Sequence, residues 1–72
     1  MTGNDFLCRL TRLGRARGVA VWFDARHGKG SHGTVYYGSR KTTLKDLRKE
    51  IGPGLVARML AQLGLSRSDF EE

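Results

Sequence analysis

Apolar residues recur along this chain at two different periods, and the switch between them marks out its elements. Phe6, Leu10, Leu13 and Ala16 fall at helical spacing with Leu7 beside them, which predicts an amphipathic helix over about Asn4 to Arg17. Asn4 is the expected N-cap, and Asp5 suits the positive end of the helix dipole. Arg15 and Arg17 suit the other end, and Gly18 is the expected stop. From Val19 to Arg26 the pattern becomes β-like: Val19, Val21 and Phe23, assigned to the core, alternate with Ala20, Trp22 and Asp24. A second strand is expected from Ser31 to Tyr37. With Val35 and Tyr37 pointing inward, His32, Thr34 and Tyr36 share the opposite face. Gly38-Ser39 makes a tight turn into a third strand, Arg40 to Leu44.

Helical spacing then returns. Leu44, Leu47 and Ile51 predict a short helical turn around Lys45 to Glu50. Pro53 sits where a first helical residue tolerates it, and Leu55, Val56, Met59, Leu60 and Leu63 mark a helix of about Pro53 to Leu63, ended by Gly64. Ser66-Arg67-Ser68-Asp69 reads as a capping-box-like start for one last turn carrying Phe70. The expected architecture is one small α+β domain over residues 1–72. Its order is α-β-β-β-α, with the helices on one face of a three-stranded antiparallel sheet.

Composition narrows the class. At 72 residues the chain is near the lower limit for a single hydrophobic core, and 39% apolar with 28% charged residues fits a folded chain rather than a disordered one. It has no apolar run long enough to span a bilayer, and Met1-Thr2-Gly3-Asn4-Asp5 lacks the basic-then-apolar pattern of a secretory signal. A lone Cys8 excludes an internal disulfide and fits a reducing cytoplasm, the expected location. Cys8, His27 and His32 are too few ligands for a zinc site. Thirteen Lys and Arg outnumber seven Asp and Glu, and Asp69, Glu71 and Glu72 lie at the very end, so the body is more basic than the net charge of +6 implies. Such a surface attracts phosphate backbones, and that binding weakens steeply with salt.

The candidate chemistry lies in Arg26-His27-Gly28-Lys29-Gly30-Ser31-His32-Gly33. Histidine titrates near pH 6.5 and so gives or takes a proton near neutrality. The glycines let a polyanion approach the backbone, and Arg26 and Lys29 supply charge to hold it. Gly28 to Val35 also matches two phosphate-loop patterns literally, G-x-G-x-x-G and G-x-G-x-x-G-x-V. A β run follows where the first pattern needs a helix, and the chain is too short for the motifs the second requires. His32 keeps three readings: general acid or base, phosphate contact, or ordinary surface residue. His27 is a weaker candidate. No serine–histidine–acid set emerges, because Ser31 and His32 are adjacent on a strand and face opposite ways, and Asp24 and Asp46 have no argued geometry. Trp22 and Tyr36 on the face of His32 suit either base stacking or packing at a sheet edge.

Gly-Lys-Gly-Ser-His at 28–32, followed by a β run and a terminal helix ending Met59-Leu60-Ala61-Gln62-Leu63-Gly64-Leu65, resembles the HicA toxins of bacterial and archaeal toxin–antitoxin pairs. The likeness runs from the first helix to Leu65. Its most specific parts are Gly30-Ser31-His32 and the Gly-Leu ending. It implies a double-stranded-RNA-binding-domain-like fold and a metal-independent endoribonuclease that cleaves messenger RNA and inhibits translation. It also implies no cofactor and a HicB-like antitoxin partner that blocks the active site. Carried over, His32 is the catalytic histidine, with Gly30 and Ser31 shaping its turn. Arg26, Lys29, Arg40 and Lys41 are the cations expected to hold RNA. Many members place an aromatic three residues after the histidine, where this chain has Val35. The alternative outside that family is a non-catalytic RNA-binding module.

Overall fold

In the computed structural model, which describes residues 1–25 and 33–70, the order is α1 (Gly3–Arg17), β1 (Val21–Ala25), β2 (Gly33–Tyr37), β3 (Arg40–Leu44), α2 (Pro53–Gln62) and α3 (Arg67–Phe70). The strands form one antiparallel sheet in the order β1-β2-β3. The expected α-β-β-β-α arrangement is therefore the observed one, with the helices on a single face. Among the described residues, no helix is long and apolar enough to cross a membrane.

Strand alternation decides which side is buried. Val35 and Tyr37 from β2 and Thr42 and Leu44 from β3 point inward, with Val21 and Phe23 of β1 half-buried beside them. Against this face pack Phe6 and Leu10 of α1 and Val56, Met59 and Leu60 of α2, joined by Leu63 and Phe70. Each fully buried aliphatic or aromatic side chain contributes roughly 1.5–3 kcal/mol. Phe6 and Phe70 meet with ring centroids 5.0 Å apart, so the last turn closes back onto the first helix. The buried Thr42 hydroxyl donates to the Gln62 side-chain carbonyl, which satisfies the one buried polar side chain among the described residues and ties β3 to α2.

Three expectations need correction. The N-cap of α1 is Thr2, not Asn4: its hydroxyl accepts from the Asp5 N–H at 3.1 Å, and the Asp5 carboxylate accepts from the Thr2 N–H at 3.0 Å. This reciprocal box holds the Asp5 carboxyl below its ordinary value, chiefly through the Thr2 backbone N–H. The first strand begins at Val21 rather than Val19, because the Val19 N–H is taken by the Gly14 carbonyl at 2.8 Å. Lys45 to Glu50 is a turn rather than a helix. Gly3 and Asn4 donate their N–H groups to the carbonyls of Lys49 and Leu47 at 3.1 and 2.7 Å. Ile51 donates to Met1, Thr2 bridges Glu50, and the Met1 ammonium pairs with the Glu50 carboxylate. The segment serves as a non-local cap for the first N–H groups of α1.

Gly14 lets α1 meet the chain leading into β1. A Cβ there would lie 2.6 Å from the Val19 carbonyl oxygen and 2.5 Å from Val21 Cγ2. Alanine favours a helix interior over glycine by about 1 kcal/mol, whereas forcing atoms into a packed contact costs about 1–3 kcal/mol. With backbone as one of the obstacles, the clash wins. Gly14→Ala is expected to lower stability in urea unfolding, and an increase in stability would show that the two segments do not approach as described. A second prediction concerns acid. The Arg17 guanidinium, donating to Asp69 at 2.7 Å, and the Ser66 backbone N–H hold the Asp69 carboxyl down at about 2, from 3.8. A depressed folded-state value means this contribution is fully present above 3.8 and is lost as the pH falls through about 2. Asp69→Asn is expected to flatten the decline of the urea midpoint between pH 4 and 2. An unchanged profile would show that the ion pair does not support the last turn.

Candidate nucleic-acid interface

The same alternation that builds the core turns a second set of side chains to the uncovered side of the sheet. The register places Trp22, Tyr36 and Lys41 in one cross-strand row, and Asp24, Thr34 and Thr43 in the next. All six are exposed or half-exposed. Thr34 and Tyr36 thus lie on the face expected of them, as do Trp22 and Asp24. The Trp22 and Tyr36 rings stack across β1 and β2, with centroids 4.7 Å apart and planes 13° from parallel. Trp22 still exposes 48% of its surface. Stacking in this geometry adds about 0.5–1.5 kcal/mol beyond area burial and fixes both rings.

Of the expected site residues, His32, Arg26, Lys29, Gly30, Ser31 and the weaker candidate His27 lie outside the described residues. Their flanks are placed. Ala25 and Gly33 face each other as the last pair of the β1–β2 ladder, with Gly33 also opposite Leu44. Ala25 and Gly33 thus close one end of the β1–β2 ladder, one pair beyond the row of Asp24 and Thr34.

Gly33 is not simply the last glycine of a loop. It is buried in β2 beneath the Phe23 ring, and a Cβ there would lie 2.2 Å from Phe23 Cζ and 3.1 Å from the Asp24 carbonyl oxygen. Its lack of a side chain serves packing between β1 and β2, not the approach of a ligand. Arg40 and Lys41, both expected among the RNA-holding cations, are divided between the two faces. Lys41 stands on the outer face beside Tyr36. Arg40 has the opposite parity, and its guanidinium lies over Gly64, where a Cβ would meet Nε at 3.0 Å. Arg40 therefore leaves the group of cations that can share a ligand with the outer face.

Two concavities border β3. One, of about 260 Å³, lies between β3 and α2 over Ile51, Leu55 and Met59, and contains none of the expected site residues. The other is a shallow polar depression of about 460 Å³ lined by Thr34, Lys41, Thr42, Thr43 and Gln62. It adjoins the aromatic row through Lys41. The outer face thus offers a fixed π surface, an ammonium, hydroxyls and a polar hollow, which suits a ligand with flat apolar faces on an anionic backbone. Compared with protein-family models, curated proteins and solved structures, the chain matches none.

Gly33→Ala is expected to destabilise the fold by about 1–3 kcal/mol through the Phe23 contact. Combining it with Phe23→Leu, which removes the reach of the ring, is expected to cost less than the sum of the two single changes. Denaturant unfolding of the four chains gives the coupling directly, and strict additivity would show that the ring does not cover Gly33.

Proposed function

We propose that this chain is a metal-independent endoribonuclease of the HicA type, a toxin that cleaves messenger RNA and is held inactive by a HicB-like antitoxin. The observation that most supports this reading is the register ending at Ala25 and Gly33. The stretch 26–32, which carries His32, joins these two residues in sequence, and the same register lines the uncovered face with Thr34 one pair away and with Trp22, Tyr36 and Lys41 three pairs away. The net charge of +6 supports an anionic substrate.

Cleavage of RNA needs only proton transfer and charge stabilisation when the 2′-hydroxyl is the nucleophile. The 2′-oxygen bonds to phosphorus, the 5′-oxygen leaves, and the products are a 2′,3′-cyclic phosphate and a 5′-hydroxyl. His32 takes the 2′-hydroxyl proton or gives one to the departing 5′-oxygen, a contribution of about 10²- to 10⁴-fold. Lys29 and Arg26, with Lys41 on the adjoining face, hold the phosphate and offset its developing charge. Gly30 and Ser31 set the turn that presents His32. The antitoxin then covers this face with acidic or apolar surface, and the pair acts in the cytoplasm.

Induced expression of the parent chain is expected to arrest growth and degrade messenger RNA. His32→Ala, with unchanged circular dichroism, is expected to do neither. In vitro, cleavage by the purified chain is expected to survive EDTA. Arrest and decay by a folded His32→Ala chain would remove His32 from the mechanism and favour the RNA-binding module without activity.

A further inference from the structure

We propose that the free face of the Trp22 indole, backed by Tyr36, is a nucleobase-stacking subsite that makes the chain bind unpaired RNA in preference to duplex. This rests on the RNA-directed reading above and names the part of the substrate that the sheet recognises. Trp22 belongs to β1, which the strand order leaves at the edge of the sheet. Tyr36 occupies one face of the indole at 4.7 Å, and among the described residues no strand lies beyond the other. A third flat ring can therefore extend an existing two-ring stack without moving either ring. Because the pair is already ordered, little side-chain freedom is lost on binding, and the exposed indole surface supplies apolar area to be covered.

Charge sets the direction of the strand. Lys41 ends the Trp22–Tyr36 row, two strand spacings or roughly 9–10 Å from β1, and opens on the polar depression with Thr34 and Thr43. Asp24, in the neighbouring row on β1, repels phosphate. A base on Trp22 with its backbone crossing toward Lys41 avoids the carboxylate and meets the ammonium. Duplex RNA fails this arrangement, because its bases already stack on one another and show no free face. A strand with unpaired bases satisfies it irrespective of sequence, since every base has a π face.

Trp22 is the single tryptophan of the chain, so its emission reports the subsite alone. The His32→Ala chain, which leaves the RNA intact, is titrated at fixed salt with three probes: an adenosine decamer, an abasic ribose-phosphate oligomer of equal length, and a duplex. The decamer and the abasic oligomer carry matching backbones, so their electrostatic attraction cancels, and the duplex, with more phosphates, would bind the tighter on charge alone. Quenching by the decamer is expected, with binding about tenfold tighter than to the abasic oligomer or the duplex. Trp22→Ala, followed by anisotropy of labelled RNA, is expected to lose that tenfold preference, and Trp22→Phe to keep most of it. Tyr36→Leu keeps the reporter and is expected to weaken decamer binding. Equal affinity for decamer and abasic oligomer, or bound RNA with unchanged Trp22 emission, would overturn the subsite. Self-association in sedimentation that Trp22→Ala abolishes, with RNA binding untouched, would overturn it too and assign the face to protein contact. Histidine-dependent cleavage by the parent chain with a silent Trp22 sinks only the subsite. Base-dependent quenching with no cleavage keeps the subsite and sinks the nuclease.

Discussion

A sheet of three five-residue strands can bury only one face against the helices of a chain this short, and that limit governs everything else in the molecule. Val35, fully buried at the centre of the middle strand, marks the inner face. Because side chains alternate, a slip of one residue would drive Trp22, Tyr36 and Lys41 toward Phe6 and Leu10 and turn Val35 and Leu44 to water. Burying an ammonium without a partner costs several kcal/mol, more than any single apolar contact returns, so the register is fixed by what cannot go inside as much as by what does. The aromatic row and the pairing of Ala25 with Gly33 at the end of the ladder are consequences of that single choice.

The periods of the chain make most of this fold legible. Local signals sufficed where a local cause operates: Gly18 ends α1 in a left-handed conformation, Pro53 opens α2, and Ser66 with Asp69 starts the last turn. The misreading of Lys45 to Glu50 has a non-local cause. Lys45 to Glu50 has helical spacing at Leu44, Leu47 and Ile51, yet its carbonyls are taken by the N–H groups of Gly3 and Asn4, over forty residues earlier in the chain. The cap at Thr2 has a local cause, since Thr-x-x-Asp is nearly a capping box, and it lies two residues before the Asn4 that the apolar spacing favours.

The outer face was legible to the extent that parity determines it, and no further. Alternation placed Trp22, Tyr36 and Thr34 together, but the stacking of the first two depends on register, which no periodicity states. Arg40 and Lys41 are neighbours in sequence and so point to opposite sides of β3. The alternation that separates Val35 from Tyr36 separates these two cations as well. The role of Gly33 was hidden for a different reason. A glycine beside other glycines reads as loop, and only the Phe23 ring above it shows that it belongs to the packing of the sheet.

The electrostatics of the described residues follow from how few acids there are and where each is used. Asp5 is engaged in the cap of α1, Asp46 accepts from the Arg48 N–H, Asp69 holds Arg17, and Glu50 pairs with the terminal ammonium. Four carboxylates are thus committed to backbone groups or to the ends of the chain. Among the described residues Arg17 is the one side-chain cation in an ion pair, and the others, from Arg9 and Arg12 on α1 to Lys41 on β3 and Arg58 on α2, act through their field. Of the described residues, the charges that the outer face itself carries within a Debye length of about 8 Å at physiological salt are Lys41 and Asp24. The diffuse charge elsewhere brings a polyanion to the molecule, and this opposed local pair decides how it lies on the sheet. Salt weakens the first effect more than the second, so orientation outlasts attraction as ionic strength rises.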